Sequence, residues 1–228
     1  MRVTMRSLLW VLCGVVLGLG AAQSASATTV TVVMTGIWSQ VDDTAGVLDG
    51  SVAVGSAFTA TFTYDDQTPD CEPFNGLGCY LMNGSAGSLT FATGNYSFVD
   101  EGIANNGLST ENDFQGQDIV ALFFDRYRIS GPLPVGVALA PLAYANPSLV
   151  DYSRTALSSD RLLDVVWDAN LYDTDFYFFG PVTNRGATDY IEFGGAIASM
   201  TVTLPEPAGA ALVSAGLVSL ALLRRRHL

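Results

Sequence analysis

SAFTATFTYDD, residues 56–66, is the stretch that decides the fold. Phe58, Ala60, Phe62 and Tyr64 alternate with Thr59, Thr61 and Thr63. A period of two puts an apolar row and a threonine row on opposite faces of an extended chain, the pattern of a half-buried antiparallel strand. The same reading extends outward to TTVTVVMTGIW, GSLTFAT, NYSFVD, DIVALFFDRYRI, DFYFFG and YIEFGGAIASMTVTL. Stretches such as ATGNY, ANNG and ENDFQGQD separate these strands and carry the Gly, Asn and Asp that turns require. The one helical candidate, SRTALSSDRLL over residues 153–163, has room for one or two turns. Many short strands joined by glycine-rich turns predict an all-β, antiparallel β-sandwich, with the jelly roll among its topologies.

The two ends of the chain read differently. Arg2 and Arg6 precede the apolar LLWVLCGVVLGLG, and small residues lead to Ala25-Ser26-Ala27. This is the layout of a secretory signal peptide over residues 1–27, an N-terminal signal helix cut after Ala27, so that the mature chain starts near Thr28. Cys13 does not make a lipoprotein signal, because Leu12 stands where a small residue is needed and the cysteine lies inside the apolar run. At the other end, the sixteen residues from Ala208 to Leu223 form an apolar run followed by Arg224, Arg225 and Arg226. As a helix the run spans roughly 24 Å, short against a hydrocarbon core of about 30 Å. The arginines keep the cytoplasmic side, which places everything before Pro205 outside.

Pro205-Glu206-Pro207, a small-residue-rich apolar run and an arginine cluster, in that order, resemble the PEP-CTERM sorting signal of Gram-negative bacteria. The resemblance covers residues 205–228, with His227 and Leu228 following the arginines as a small departure. It implies that an exosortase, a membrane transpeptidase-like cysteine enzyme, processes the tail after export by the secretion machinery. The C-terminal transmembrane sorting helix then holds the precursor in the inner membrane only transiently, and the product reaches the cell surface or the medium. FTYDDQTPD, the later aromatic and glycine-rich region and the strand running into the PEP motif also resemble bodies found on such proteins. The family's setting in exopolysaccharide-producing, biofilm-forming bacteria implies a role in an extracellular matrix.

Residues 28–204 are enough for one domain with a sizeable core. They hold twenty-one acids against five arginines, a net charge of −16. Such a surface repels nucleic acid and suits solubility, divalent cations or neutral and basic partners. Lysine is absent from the chain and the single histidine, His227, lies in the tail. Ser-His-Asp and Cys-His couples, lysine Schiff bases, the P-loop lysine and imidazole metal sites are therefore excluded from this domain. Paired carboxylates remain the main enzymatic option, and no local context marks a pair, so the domain reads as non-enzymatic, with a carboxylate glycoside hydrolase as the distant rival.

Three smaller features complete the reading. Cys71 and Cys79 enclose EPFNGLG, which in an exported chain predicts a disulfide contributing on the order of 2–3 kcal/mol by loop closure. Asp65, Asp66 and Asp70 form a candidate calcium site beside that bridge, weighed against solvated turn aspartates; Asp164, Asp168, Asp173 and Asp175 form a second group. Neither group has the EF-hand spacing. Trp167, Tyr172 and Tyr177 are candidate glycan contacts, weighed against core packing. The sequence thus predicts a structural or adhesive matrix protein, with a glycan-binding module as the alternative.

Overall fold

The computed structural model describes residues 29–71, 76–82, 87–102, 106–183 and 188–204. The signal segment and the PEP-containing tail lie outside the described residues. Within them the fold is antiparallel β. The strands are β1 (Thr29–Asp43), β2 (Ala57–Asp65), β3 (Leu77–Leu81), β4 (Gly87–Thr93), β5 (Tyr96–Asp100), β6 (Gly107–Phe114), β7 (Gln117–Asp125), β8 (Tyr127–Ser130), β9 (Tyr144–Asp151), β10 (Asp173–Pro181) and β11 (Tyr190–Thr203). They form one continuous sheet in the order β3-β6-β7-β9-β10-β11-β1-β2-β4-β5-β8.

The opening stretch lies almost entirely within β2, and Phe58, Ala60, Phe62 and Tyr64 are buried as their alternation requires. Their neighbours behave alike: β1 buries Val30, Val32 and Met34, and β10 buries Phe176 and Phe178. One face of the sheet is therefore apolar along its length. That face curls onto itself. In the sheet order, β4, β5 and β8 lie four, five and six places from β10. On a flat sheet those distances would be roughly 19–29 Å at about 4.8 Å per strand. Phe178 of β10 instead lies 5.1 Å from Phe91, 4.9 Å from Phe98 and 5.6 Å from Tyr127, ring centre to ring centre. Each fully buried ring is worth about 1.5–3 kcal/mol over an exposed one, so the curl buries the strongest apolar surface the chain has.

Two devices shape the curl. The long central pair β1 and β11 carries irregular register at Thr35/Gly36 and Trp38/Gln40. Bulges of this kind bend a strand and increase its twist. Trp38 follows the first bulge, stacks on Phe58 at 4.2 Å, and donates its indole N–H to the Thr93 hydroxyl at 2.9 Å. The second device lies between β7 and β8. The sequence reads DIVALFFDRYRI as one strand, but Arg126 takes φ 61° and breaks it. Its N–H donates to the Ala143 carbonyl (2.7 Å) and its carbonyl accepts from Glu101 N–H (2.9 Å). A corner of one residue thus sends the chain from β7, near one end of the sheet, to β8 at the other.

The predicted helical turns at residues 153–163 do not form an α-helix. The Asp151 carboxylate accepts from the N–H groups of Ser153, Thr155 and Ala156, and that of Asp118 accepts from Leu157. Side-chain acceptors have taken the backbone donors, and only Leu162–Asp164 closes a short 3₁₀ turn. Cys71 and Cys79 are disulfide-bonded with their Cα atoms 5.1 Å apart. The bridge ties a strap across the outer side of β3, where Cys71 N–H donates to the Cys79 carbonyl and Asp70 pairs with Tyr80.

A Cβ at Gly36 would overlap the Ala196 carbonyl and the Phe58 ring. Gly36→Ala is therefore expected to cost about 2–3 kcal/mol, lowering the melting temperature by roughly 4–12 °C in a thermal unfolding scan.

Candidate functional site

The outward face of the sheet carries side chains of another kind. Tyr144 on β9, Tyr177 and Phe179 on β10 and Tyr190 on β11 alternate with inward residues and emerge on the solvent side. Ladder register sets them in a row: Phe179 pairs with Tyr144 on one side and Glu192 on the other, and Pro181 pairs with Tyr190. Tyr144 lies 5.9 Å from Tyr177 and 5.8 Å from Phe179, and Phe179 lies 5.3 Å from Tyr190. Gln40, on the neighbouring β1, donates to Glu192 at 3.1 Å and to Asp42 at 2.8 Å. Burial and the nearby Glu192 carboxylate raise the Tyr177 phenol above its ordinary pKa, so it remains a hydroxyl donor.

The row runs into a shallow cleft of about 350 Å³ lined by Phe123, Phe124, Asp125, Tyr144 and Ala145. Its origin is a proline. The β7–β9 ladder pairs Ala121 with Ser148 and Phe124 with Ala145, but skips the two positions opposite Asn146 and Pro147. Proline has no N–H to donate, so the ladder opens there, and Phe123 stands 47% exposed beside the gap. Rings flanked by amide, carboxylate and phenol groups form a surface that is flat, apolar and wettable at once.

Of the glycan contacts expected from sequence, Tyr177 belongs to this row and the other two do not. Trp167 is buried, donates to the Tyr64 hydroxyl at 3.1 Å and packs 5.7 Å from Phe62. Tyr172 is buried as well, and burial followed by Asp118, Asp151 and Asp168 raises its pKa. Both face the core because the 3₁₀ turn Ala169–Leu171 and its flanks cover the apolar face. Tyr144, Phe179 and Tyr190 were missed. Ring alternation in DFYFFG was visible, but which face meets solvent depends on the curl.

Most of these aspartates accept hydrogen bonds from nearby backbone or side-chain donors. Asp65 accepts from Gln67 N–H (2.9 Å), Asp66 from the Gln67 amide (3.0 Å) and Asp70 from Cys79 N–H (2.9 Å). In the second group, Asp168 caps Asn170 and Asp164 accepts from the Ser159 hydroxyl. Burial raises the pKa of Asp175. Among the described residues no three acidic or sulfur ligands converge on a point where a metal ion would sit. Two carboxylate pairs stand in register, Asp42 with Glu192 across β1 and β11, bridged by Gln40, and Asp118 with Asp151 across β7 and β9. Asp118 and Asp151 are buried, and their oxygens are engaged by the N–H groups named above and by that of Asp113. They hold the loop from Ser153 to Leu157 in place.

No family model, curated protein or solved structure matches this chain. Among the described residues no helix is long and apolar enough to cross a membrane.

Hydrogen bonds from Ser153, and with them the Thr155 and Ala156 amides, lower the Asp151 pKa against the opposing effect of burial. A carboxylate with a lowered folded pKa adds stability that is present above its unfolded value, near 4, and is lost as pH falls toward the folded one. Asp151→Ala should cost about 2–3 kcal/mol at neutral pH. Melting curves between neutral and acid pH should show the difference between variant and parent shrinking below about pH 4.

Proposed function

We propose that this chain is the precursor of an exported, surface-sorted, non-enzymatic protein that adheres within an extracellular exopolysaccharide or biofilm matrix. The secretion machinery exports it, an exosortase processes its PEP tail, and the inner membrane holds it transiently through the C-terminal helix. The body serves as a sandwich-like scaffold, two packed layers with their apolar sides inward. The single observation that carries the adhesive part is the solvent-facing row of Tyr144, Tyr177, Phe179 and Tyr190 beside Gln40 and Glu192. A sugar ring has an apolar C–H face and a hydroxyl rim. Aromatic faces interleaved with amide and carboxylate acceptors complement both, whereas a protein partner's apolar core would leave those polar groups unpaired. The acidic surface is compatible with neutral sugars.

This favours the glycan-binding form of the reading, with the contact moved from Trp167 and Tyr172 to the outer row. Calcium is not required by it: the carboxylates of Asp65 and Asp70 would have to release backbone donors to bind the ion. Calcium in place of chelator is expected to leave the melting temperature unchanged, and a rise would restore the aspartate group as a site.

The test is affinity electrophoresis of the mature protein through gels containing the producing cells' own exopolysaccharide. Tyr144→Ala with Tyr177→Ala should abolish retardation while leaving the fold intact, since stacking is worth about 1 kcal/mol per ring. Trp167→Ala should act by destabilising the core, with a lower melting temperature. Absence of retardation in the parent protein would sink the glycan contact. Intact mass of the protein from envelope and medium tests the sorting part. The expected chain starts at Thr28 and ends near Pro205, and is lighter by two hydrogens for the Cys71–Cys79 bridge.

A further inference from the structure

A second cleft, of about 300 Å³, lies at the corner where the chain passes from β7 to β8, lined by none of the rings of the aromatic row. Its chemistry opposes that of the rest of the molecule. Arg126 and Arg128 both line it, two of the five arginines in a domain of net charge −16. Arg128 alternates with the buried Tyr127 and Ile129, so it faces away from the core, and Arg126 stands half-buried at the corner itself. Among the described residues one ion pair forms, Arg154 with Asp113 at 3.7 Å, and it involves neither. In so acidic a protein, two guanidinium groups without a carboxylate within ion-pair distance are unexpected.

The cleft is also built. Its far wall, Ala138–Pro141, is fixed to the end of β10: the Ala138 carbonyl accepts from Thr183 N–H (2.8 Å) and Ala140 N–H donates to Pro181 (2.7 Å). Its near wall is the one-residue corner, where the left-handed backbone of Arg126 sets the direction of its side chain. Glu101 completes the lining, held by its N–H on the Arg126 carbonyl at 2.9 Å.

The geometry points to a binding site for a single carboxylate on a small saccharide, a uronate residue with a neutral neighbour. Two arginines and one glutamate line the cleft, with Asp100 and Asp125 close to its Tyr127, so the pair of guanidinium groups can take one carboxylate and no denser charge. Arginine's planar fork suits that group in paired hydrogen bonds. A densely charged polyanion would be repelled by the acidic body, and Glu101 disfavours a dianion such as phosphate. Leu139 and Pro141 supply apolar contact for the sugar face, Glu101 accepts hydroxyls, and the volume suits one or two sugar rings. The choice of a saccharide over other carboxylates rests on the matrix reading; the carboxylate site itself does not.

The test titrates the mature protein calorimetrically with cellobiouronate (one glucuronate joined to one glucose), with cellobiose and with a blocked glutamyl tripeptide. Cellobiouronate should bind saturably, more weakly as salt rises, and cellobiose should not. Arg128→Gln should weaken binding about tenfold or more, as loss of a charge-assisted contact does. Arg128 is exposed, so its replacement spares the fold. Arg126→Gly removes the second guanidinium while keeping a residue that accepts φ 61°, and should act alike. The Tyr144/Tyr177 double variant should bind cellobiouronate like the parent, so that failure of the aromatic row and failure of this cleft are read separately. Absence of saturable binding, equal binding of cellobiose, or unchanged affinity in Arg128→Gln would overturn the site and leave the arginines as guards of a free strand edge. Equal affinity for the glutamyl peptide would overturn the saccharide assignment and make this a peptide site.

Discussion

Phe178 meeting Phe91, Phe98 and Tyr127 is the contact on which the rest of the molecule depends. Strands so far apart in one ladder touch only if the sheet has rolled its apolar face inward, and every other feature follows from that roll. It decides which alternate side chains are core and which are surface. It brings the two ends of the sheet close enough for a single residue to join β7 to β8. It also leaves a convex face that must be covered by polar groups or used.

The two clefts arise from departures from regular pairing at this rolled sheet. At Pro147 a missing N–H removes rungs between β7 and β9, and the outer surface opens beside Phe123 and Tyr144. At Arg126 a left-handed residue ends one strand and starts another, and the corner gapes toward Ala138–Pro141. Regular ladders leave little room for a ligand, so a β body offers its sites where the ladder is interrupted.

Much of this architecture was legible in the sequence, and the reason is local. Phe58, Phe62 and Tyr64 alternate with threonines, and nothing beyond the strand is needed to read that period. The short Cys71–Cys79 spacing and the turn aspartates are equally local. β3, β6 and β9 were harder to see. β6 runs through Glu111 and Asn112, residues typical of turns, and β9 carries a proline in its middle. Their strand character comes from neighbours in the sheet. The helical reading of residues 153–163 failed for a related reason: Asp118, distant in sequence, supplies one of the acceptors that hold the loop. For the candidate site, residue type was visible and exposure was not. Trp167 and Tyr172 looked like sugar platforms until the curl enclosed them, and Tyr144 and Tyr190 gained a role only through register across β9, β10 and β11.

The corner at Arg126 also governs the phase of the chain. Along β7 the inward side chains are even-numbered, Val120, Leu122 and Phe124; along β8 they are odd, Tyr127 and Ile129. One residue in a left-handed conformation converts one parity into the other. With residue 126 extended instead, Arg128 would point inward and Tyr127 outward, reversing every side chain of β8. The conformation of this one residue is therefore part of the fold's specification, while the stretch Pro134–Gly136, exposed throughout, tolerates changes of length over evolution.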